Sequence, residues 1–208
     1  MKGVHLVRHP ILGQHVAELR SKKTESRDFR WHLKEAARIL LLEALAGAPV
    51  KSAFVETPLA KTKGLTLAMP VVLVAILRAG LGMVDGMAEL LPDAILGHIG
   101  LFRDERTLKP VHYYSKIPNI APGAWTFLVD PMLATGGSAV YAVDLLRKHG
   151  AKTVKMISLI ASQAGVDILR KAHPNVDLYV AAVDKVLNDN GYIVPGLGDC
   201  GDRLFSTL

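Results

Sequence analysis

The sequence has little cysteine and no long uninterrupted apolar segment. Its single cysteine, Cys200, excludes an intrachain disulfide framework and a cysteine-rich metal site, and it favours a reducing compartment. The longest apolar run, 67–77, contains Pro70 and is far shorter than the roughly 20 residues that a membrane-spanning helix needs. The first residues, 1–10, are charged and lack the apolar centre of a signal peptide. We therefore expect a cytoplasmic protein without membrane association, and we interpret 67–77 as a core strand.

The sequence also lacks any concentration of positive charge, although its formal net charge is +6. The 25 lysine and arginine residues are dispersed, with no run longer than the pair Lys22 and Lys23. A protein that binds nucleic acid usually carries a basic stripe. We expect no nucleic-acid partner, while a solvated basic surface and a small polyanionic substrate both fit the charge.

Half of the 208 residues are hydrophobic, which is enough to bury the core of a single domain spanning 1–208. Residues 25–47 carry a dense apolar face that predicts a helix ending at Gly47. Residues 50–67 alternate loosely and contain Pro58 and Gly64, which predicts a hairpin or β-arm of the kind that often contacts a partner subunit.

From residue 71 onward, apolar strand patterns alternate with helical patterns. The predicted strands are 71–77, 95–102, 125–130, 153–161 and 176–183, and the predicted helices are 81–91, 138–149 and 166–172. Strands that are apolar on both faces and separated by helices predict an α/β fold with a mostly parallel sheet covered by helices. The glycine-rich segment 187–208 is predicted to be loop-like.

The stretch "VDPMLATGGSA", 129–139, follows one of these strands. Ligands of open parallel sheets bind at the carboxyl ends of the strands, so this turn lies where a site is expected. The backbone amides of 135–138 at a helix N-terminus favour a phosphate, although an ordinary capped connection produces the same pattern. A Walker loop is excluded because no lysine lies between 125 and 147, and "GLGDCG" at 196–201 lacks the strand and helix of a dinucleotide site.

An acid followed by a Thr-Gly-Gly-Ser loop resembles the type I phosphoribosyltransferases, whose twisted sheet carries a small hood. Most members have two adjacent acids before the loop, whereas this chain has Asp130 and then Pro131, as in the uracil phosphoribosyltransferase branch. The resemblance implies that the loop binds phosphoribosyl pyrophosphate (PRPP), with its 5′-phosphate on the loop backbone and its ribose hydroxyls on Asp130. The implied loop residues are Asp130, Pro131, Met132, Leu133, Ala134, Thr135, Gly136, Gly137 and Ser138.

Three further stretches resemble the same family. "ILRAGLGM", 76–83, is similar to its pyrophosphate loop, which implies that Arg78 contacts the leaving group and that a non-proline cis peptide lies within 77–81. "RDERTLKP", 103–110, is similar to its mobile loop, with Arg103 as a second PRPP ligand. "GYIVPGLGD", 191–199, is similar to its uracil-binding segment. The implied uracil-binding residues are Ile193, Gly198, Asp199 and Cys200, the last in place of the usual alanine.

The resemblance as a whole implies that uracil and PRPP react to give UMP and diphosphate. It implies catalytic roles for Arg78, Asp130 and Asp199, and a Mg²⁺ ion that is delivered with PRPP, reached by Asp199 through its water shell, rather than ligated directly by the protein. The hood is expected to combine the N-terminal segment with 184–208. We further expect a homodimer or homotetramer, and a GTP effector, known in some relatives, to which no residues are assigned.

Other interpretations stay open at this point. A phosphoribosyltransferase for a purine or orotate, a PRPP-sensing regulator that binds RNA, and a structural α/β subunit can all share this fold. Individual residues also have plainer roles: Arg78 as a structural ion-pair partner, His98 as a core histidine, and Tyr113 and Tyr114 as packing residues. The segment 191–199 argues against a purine or orotate enzyme, and the dispersed charges do not suggest an RNA-binding regulator. A structural subunit would bind no PRPP.

Overall fold

The secondary structure alternates between strands and helices along most of the chain in this computed structural model, which describes residues 3–103 and 110–207. The strands are β1 (Val4–Leu6), β2 (Val50–Glu56), β3 (Lys61–Leu67), β4 (Val71–Leu77), β5 (Ile95–Arg103), β6 (Pro110–Lys116), β7 (Trp125–Val129), β8 (Met132–Leu133), β9 (Thr153–Ser162), β10 (Asp177–Asp184), β11 (Val186–Leu187) and β12 (Ile193–Val194). The helices are α1 (Pro10–Arg20), α2 (Ser26–Leu45), α3 (Gly80–Leu90), α4 (Gly137–Lys148), α5 (Gln163–Ala172) and α6 (Cys200–Phe205).

Eight strands form the central sheet in the order β1-β10-β9-β7-β4-β5-β6, with the short β8 also paired to β9. Neighbouring strands are parallel except for the antiparallel pair β5 and β6, which confirms the predicted mostly parallel sheet. After β4 the chain passes through α3 to β5, whereas after β7 it passes through α4 to β9 on the other side. The two connections diverge between β4 and β7, and a crevice at this switch point is the usual ligand site of such sheets.

Alternating side chains of the central strands supply two separate apolar layers. Leu73 and Phe127 point into a core shared with α1, α2, α3 and α6. Val74 and Leu128 point into the opposite core, which is covered by α4 and α5. Because both faces are covered, β4 is buried along almost all of its length, as its continuous apolar run predicts.

The hairpin β2–β3 forms a separate two-stranded antiparallel sheet, which confirms the hairpin predicted for 50–67. Its turn is closed by Thr57, whose hydroxyl accepts the Ala60 amide at 3.0 Å. The hairpin exposes large apolar side chains, including Phe54 at 82% and Leu59 at 97% of their surface.

Some sequence predictions were wrong or incomplete. The segment 187–208, predicted as loop-like, contains β12 and the helix α6, whose first turn is capped by the Asp199 carboxylate. The run 67–77 is not one strand, because Leu67 ends β3 and β4 begins at Val71. His98 is half-buried rather than enclosed in a core. Strands β1 and β6 and helix α1 were not predicted.

None of the helices in the described ranges, 3–103 and 110–207, combines the length and apolar character needed to cross a membrane.

Candidate active site

A cavity of about 340 Å³ opens at the switch point, at the carboxyl ends of β4 and β7. Arg78 directly follows β4 and Asp130 directly follows β7, so the sheet places the two side chains at neighbouring strand ends. The loop 130–138 forms one wall of the cavity, and the segment 191–201 contributes another. The fold thereby brings three separate stretches of sequence to one shared cavity.

The loop 130–138 ends in the N-terminus of α4. Gly136 has a φ of +81°, a left-handed conformation that glycine adopts without steric cost, and α4 begins at the next residue. The first backbone N–H groups of a helix have no acceptor within the helix, and the helix dipole favours an anion beside them. The loop therefore offers a phosphate several converging donors without a lysine.

Two residues outside the loop hold its backbone in place. The Ser162 hydroxyl donates to the Ala134 carbonyl at 2.5 Å and accepts the Gly165 amide at 2.8 Å, capping α5. A Cβ atom at Gly165 would lie 2.4 Å from the Ala134 carbonyl oxygen, so only glycine permits this approach. Sequence reasoning missed both residues, although a serine three positions before a glycine at a strand-to-helix junction was a capping signal.

The Asp130 carboxyl is the ionisable group in the wall of this loop. Burial raises its pKa from 3.8 to about 7, and the hydrogen bond that it accepts from the Met132 amide at 3.3 Å partly opposes the shift. In the free protein this carboxyl consequently changes charge near neutral pH. Hydroxyl donors or a positive charge placed beside it would favour its ionised form.

Arg78 lies at the mouth of the cavity and follows a cis Leu77–Arg78 peptide, as the resemblance implied for 77–81. Its guanidinium donates to the Asp202 carboxylate at 2.9 Å and lies 5.7 Å from the centre of the Phe205 ring. The side chain remains 54% exposed. Arg78 is therefore both an ion-pair partner and a cation available to the cavity, and Asp202 is a neighbour that sequence reasoning missed.

The segment 191–201 closes the cavity opposite the phosphate loop. The Asp199 carboxylate accepts the Asp202 amide at 2.9 Å and so begins α6. The Cys200 side chain is buried, and burial together with the nearby Asp130 and Asp199 carboxylates raises the pKa of its thiol far above the usual range. The Cys200 thiol is therefore neutral and buried in the wall of the cavity, while its contact with uracil stays a prediction.

A family model for uracil phosphoribosyltransferase matches residues 6–207 of this chain. The chain belongs to the uracil phosphoribosyltransferase family. A curated uracil phosphoribosyltransferase from Clostridium perfringens is 50% identical over 208 residues, which cover 100% of both chains. A solved structure of a protein from Aquifex aeolicus superposes with a TM-score of 0.93, at 36% identity over 98% of each chain. An adenine phosphoribosyltransferase (APRTase) structure from Giardia lamblia shares the fold, with a TM-score of 0.52 and 16% identity over 75% of this chain and 81% of its own.

Most of the residues that the sequence implicated lie around the cavity of this uracil phosphoribosyltransferase family member. The predicted residues in the lining are Arg78, Asp130, Met132, Leu133, Ala134, Thr135, Gly136, Ser138, Ile193, Gly198, Asp199 and Cys200. The lining residues that were not named individually, although some lie in the predicted stretches 76–83 and 191–199, are Ile76, Leu77, Ala79, Leu101, Phe102, Ala139, Gly191, Tyr192 and Gly201. These are apolar or glycine residues apart from Tyr192, and their types carry no signal of chemistry.

Two predicted site residues, Pro131 and Gly137, are not in the described lining, and a third, Arg103, cannot be compared with it. Pro131 lies behind the loop, where its carbonyl accepts the amides of Leu159 and Ile160 at 3.1 and 3.0 Å. Gly137 is the first residue of α4 and is not part of the described lining. Arg103 ends β5, but its side chain and the remainder of the predicted loop up to residue 109 lie outside the described residues.

Carboxylate oxygens are the ligands available for a hard cation at this site. Asp130 and Asp199 both line the cavity. Within the described part of the chain, no group of three or more histidine, cysteine, aspartate or glutamate side chains could hold a metal ion. The donor set suits Mg²⁺ that arrives with a polyphosphate and retains much of its water, and it does not form a complete protein cage.

Proposed function

We propose that this chain transfers the 5-phosphoribosyl group of PRPP to N1 of uracil, giving UMP and diphosphate in pyrimidine salvage. The observation that carries the proposal is the single cavity at the switch point. The loop 130–138, Arg78 and the segment 191–201 all line it, so one space can hold the phosphate, the diphosphate and the base. The family membership supports the same substrates.

The phosphate loop suits the 5′-phosphate of PRPP. The amides of 135–138 meet the phosphate at the N-terminus of α4, where the dipole and the donors act together. Asp130 then accepts hydrogen bonds from the ribose 2′ and 3′ hydroxyls. Those bonds favour its ionised form, so substrate binding lowers the raised pKa of this carboxyl and places negative charge beside the ribose as positive charge develops there.

The departing diphosphate needs positive charge. Arg78 reaches it from the end of β4, and its planar guanidinium can contact two oxygens at once. We propose Arg103 as a second cation from the end of β5. A Mg²⁺ ion bound with PRPP would neutralise further charge on the phosphate oxygens, with Asp199 and Asp130 as the nearest carboxylates of the cavity.

The base lies against the segment 191–201. Uracil presents N3–H and O4, where cytosine presents an acceptor and an amino group. A fixed donor and acceptor from the backbone around Ile193 and Gly198–Cys200 would pair with uracil and leave unpaired groups against cytosine.

A parallel assay with four bases tests the proposal. Purified protein is incubated with PRPP and Mg²⁺ and with uracil, cytosine, orotate or hypoxanthine, and nucleotide formation is followed by absorbance and chromatography. We expect UMP from uracil and at least about a hundredfold lower kcat/KM with the other bases. Preferential turnover of another base would identify a different phosphoribosyltransferase. Absence of PRPP binding in calorimetry would favour a structural role.

We also propose that the chain is one domain that self-associates through the hairpin β2–β3. Leu197 and Leu204 of the hood pack in the same core as Leu33, which supports a single domain. The apolar side chains that the hairpin exposes, Phe54 and Leu59, support burial against a second copy. Light scattering of the double variant Phe54→Ser/Leu59→Ser should show a smaller assembly than the wild type. Binding of a GTP effector stays a prediction. Light scattering with and without GTP tests whether the nucleotide changes the size of the assembly.

A further inference from the structure

The segment that closes over the base is held by residues far away in the chain. Arg20, the last residue of α1, donates to both carboxylate oxygens of Asp184, at 2.7 and 2.8 Å, and to the Gly196 carbonyl at 2.9 Å. Asp184 in turn accepts a hydrogen bond from the Gly196 amide at 3.0 Å. Both polar groups of the Gly196 backbone are therefore engaged by one partly buried ion pair that lies outside the cavity lining.

A second guanidinium engages the next carbonyl of the same segment. Arg203 on α6 donates to the Leu197 carbonyl at 2.8 Å and to the Ser21 carbonyl at 2.6 Å, and it also contacts the Leu19 carbonyl. The guanidinium lies 4.4 Å from the centre of the Phe29 ring, which fixes its plane. Arg20 and Arg203 thus connect two successive peptide units to the C-terminal turn of α1.

The orientation of these peptide units decides what the base meets. In a trans peptide the C=O and the following N–H point in opposite directions. A Leu197 carbonyl held by Arg203 therefore directs the Gly198 N–H away from that arginine, and Gly198 lines the cavity. Arg20 holds the Gly196 carbonyl and thereby fixes the orientation of the preceding peptide unit, between Gly196 and Leu197, in the same way. Without these contacts a glycine-rich turn has many conformations, and the base would have to order it on binding.

We propose that Arg20, together with Asp184, and Arg203 are positioning residues for the base: they hold the peptide units of 196–198 in the orientation that accepts uracil. The identity of the base in this inference rests on the proposed function. The contacts of Arg20 and Arg203 with 196–198 do not depend on it. Neither arginine lines the cavity, so each acts through the backbone that it holds.

The charge state of Asp184 agrees with this role. The side chain is only 10% exposed, and burial by itself would raise the pKa of the carboxyl. The hydrogen bonds from Arg20 and from the Gly196 amide outweigh that effect and hold the pKa of Asp184 below its usual range. The ion pair is therefore intact throughout the neutral range in which a transferase assay is run.

Arg20→Gln tests the proposal, because it removes the charge and the planar fork while keeping a long polar side chain. We expect the KM for uracil to rise about tenfold or more, while kcat and the KM for PRPP change less than about threefold. Arg20→Lys should give an intermediate uracil KM, since one ammonium can satisfy Asp184 but cannot also hold the Gly196 carbonyl in the same plane. Arg27→Gln is the matched control, because Arg27 forms an exposed pair with Asp28 at 2.9 Å and should leave all three constants unchanged.

A double variant separates positioning from plain stability. If Arg20 acts through Asp184 and Gly196, Arg20→Gln/Asp184→Asn should raise the uracil KM no further than the larger single effect. A lower melting temperature with an unchanged uracil KM would show that the ion pair is merely structural and would overturn the proposal. A parallel rise in both substrate KM values would overturn it as well.

Hydrogen exchange makes the result independent of the enzymatic assay. In the protein without ligands, amides of 191–198 should exchange faster in Arg20→Gln than in wild type, whereas amides of 129–138 should not change. Equal exchange of 191–198 in the two proteins would refute the positioning role even if UMP is formed. Faster exchange there in a protein that forms no UMP would instead refute the proposed function and leave the positioning of the segment supported.

Discussion

The phosphate loop 130–138 and the base segment 191–198 face the same cavity but are held in different ways. The loop follows a strand, turns into its own helix and is supported by Ser162 and Gly165, which lie about thirty positions along the chain. The base segment depends on Arg20, which is 176 positions away from Gly196. The proposed phosphate site is thus held by contacts close along the chain, whereas the proposed base site is held by contacts between the two ends of the chain.

The largest effect is expected at Arg78, which lines the same cavity as the phosphate loop and the base segment. Arg78→Ala should lower kcat/KM by at least about a hundredfold, because the diphosphate loses its guanidinium partner. The melting temperature should change little, since a half-exposed ion pair such as that with Asp202 contributes only about 0 to 1 kcal/mol. Steady-state kinetics and calorimetry on the variant and on Arg27→Ala provide the comparison. Normal turnover would show that Arg78 is only a structural partner of Asp202.

Gly165→Ala should weaken PRPP binding by the phosphate loop and leave uracil binding almost unchanged. The added Cβ would meet the Ala134 carbonyl at 2.4 Å and displace the loop, so we expect the KM for PRPP to rise about tenfold or more with little change for uracil. This pattern is the reverse of that expected for Arg20→Gln. Gly13→Ala on α1 is the control, because nothing lies within 4 Å of its added Cβ and alanine favours a helix. If Gly165→Ala and Arg20→Gln gave the same kinetic pattern, the phosphate loop and the base segment would not be held independently.

Asp130→Asn should reveal the cost of a buried charge in the phosphate half. The carboxyl ionises at about 7 in the folded protein and near 3.8 when unfolded, so folding is favoured at low pH and that contribution is lost as pH rises from about 4 to about 7. The stability of Asp130→Asn relative to wild type should therefore increase over this range and be constant above it. Chemical unfolding at several pH values measures the difference, and a difference independent of pH would contradict the raised pKa.

The smallest effect is expected in the rate of thiol labelling at Cys200, which reports on opening of the base segment. This single cysteine is buried and its thiol pKa is raised, so a thiol reagent should modify it slowly in the native wild type. We expect labelling to become a few-fold faster in Arg20→Gln, because the segment opens more often, and to stay at the wild-type rate in Gly165→Ala. Equal rates in all three proteins would mean that Arg20 does not control opening of this segment.

The strands that are buried along almost all of their length were among the elements that sequence patterns predicted well. β4 and β9 were predicted to within one residue because a continuous apolar run leaves few alternatives. β1 has only three residues and α6 only six, too few for a period to be recognised. The helix α1 carries apolar residues at Leu12, Val16 and Leu19, a helical spacing that was present but was not used.

The site divides in the same way. The loop from Asp130 to Ser138 and the approximate position of Arg78 could be predicted because their chemistry resides in adjacent residues. The partners of these residues could not be predicted. Asp202 beside Arg78 and Arg20 beside Gly196 are ordinary charged residues in the sequence, and only the folded chain brings them to those positions.

The sequence by itself determined the parallel α/β sheet and the position of the glycine-rich loop, because periodicity and turn chemistry act over a few residues, and its resemblance to a family implied the class of substrate. The tertiary structure alone decided which charges meet, how Asp130 is buried and how the base segment is oriented. Burial and long-range hydrogen bonds arise only when distant parts of the chain share a core, and a local pattern contains no record of those distances.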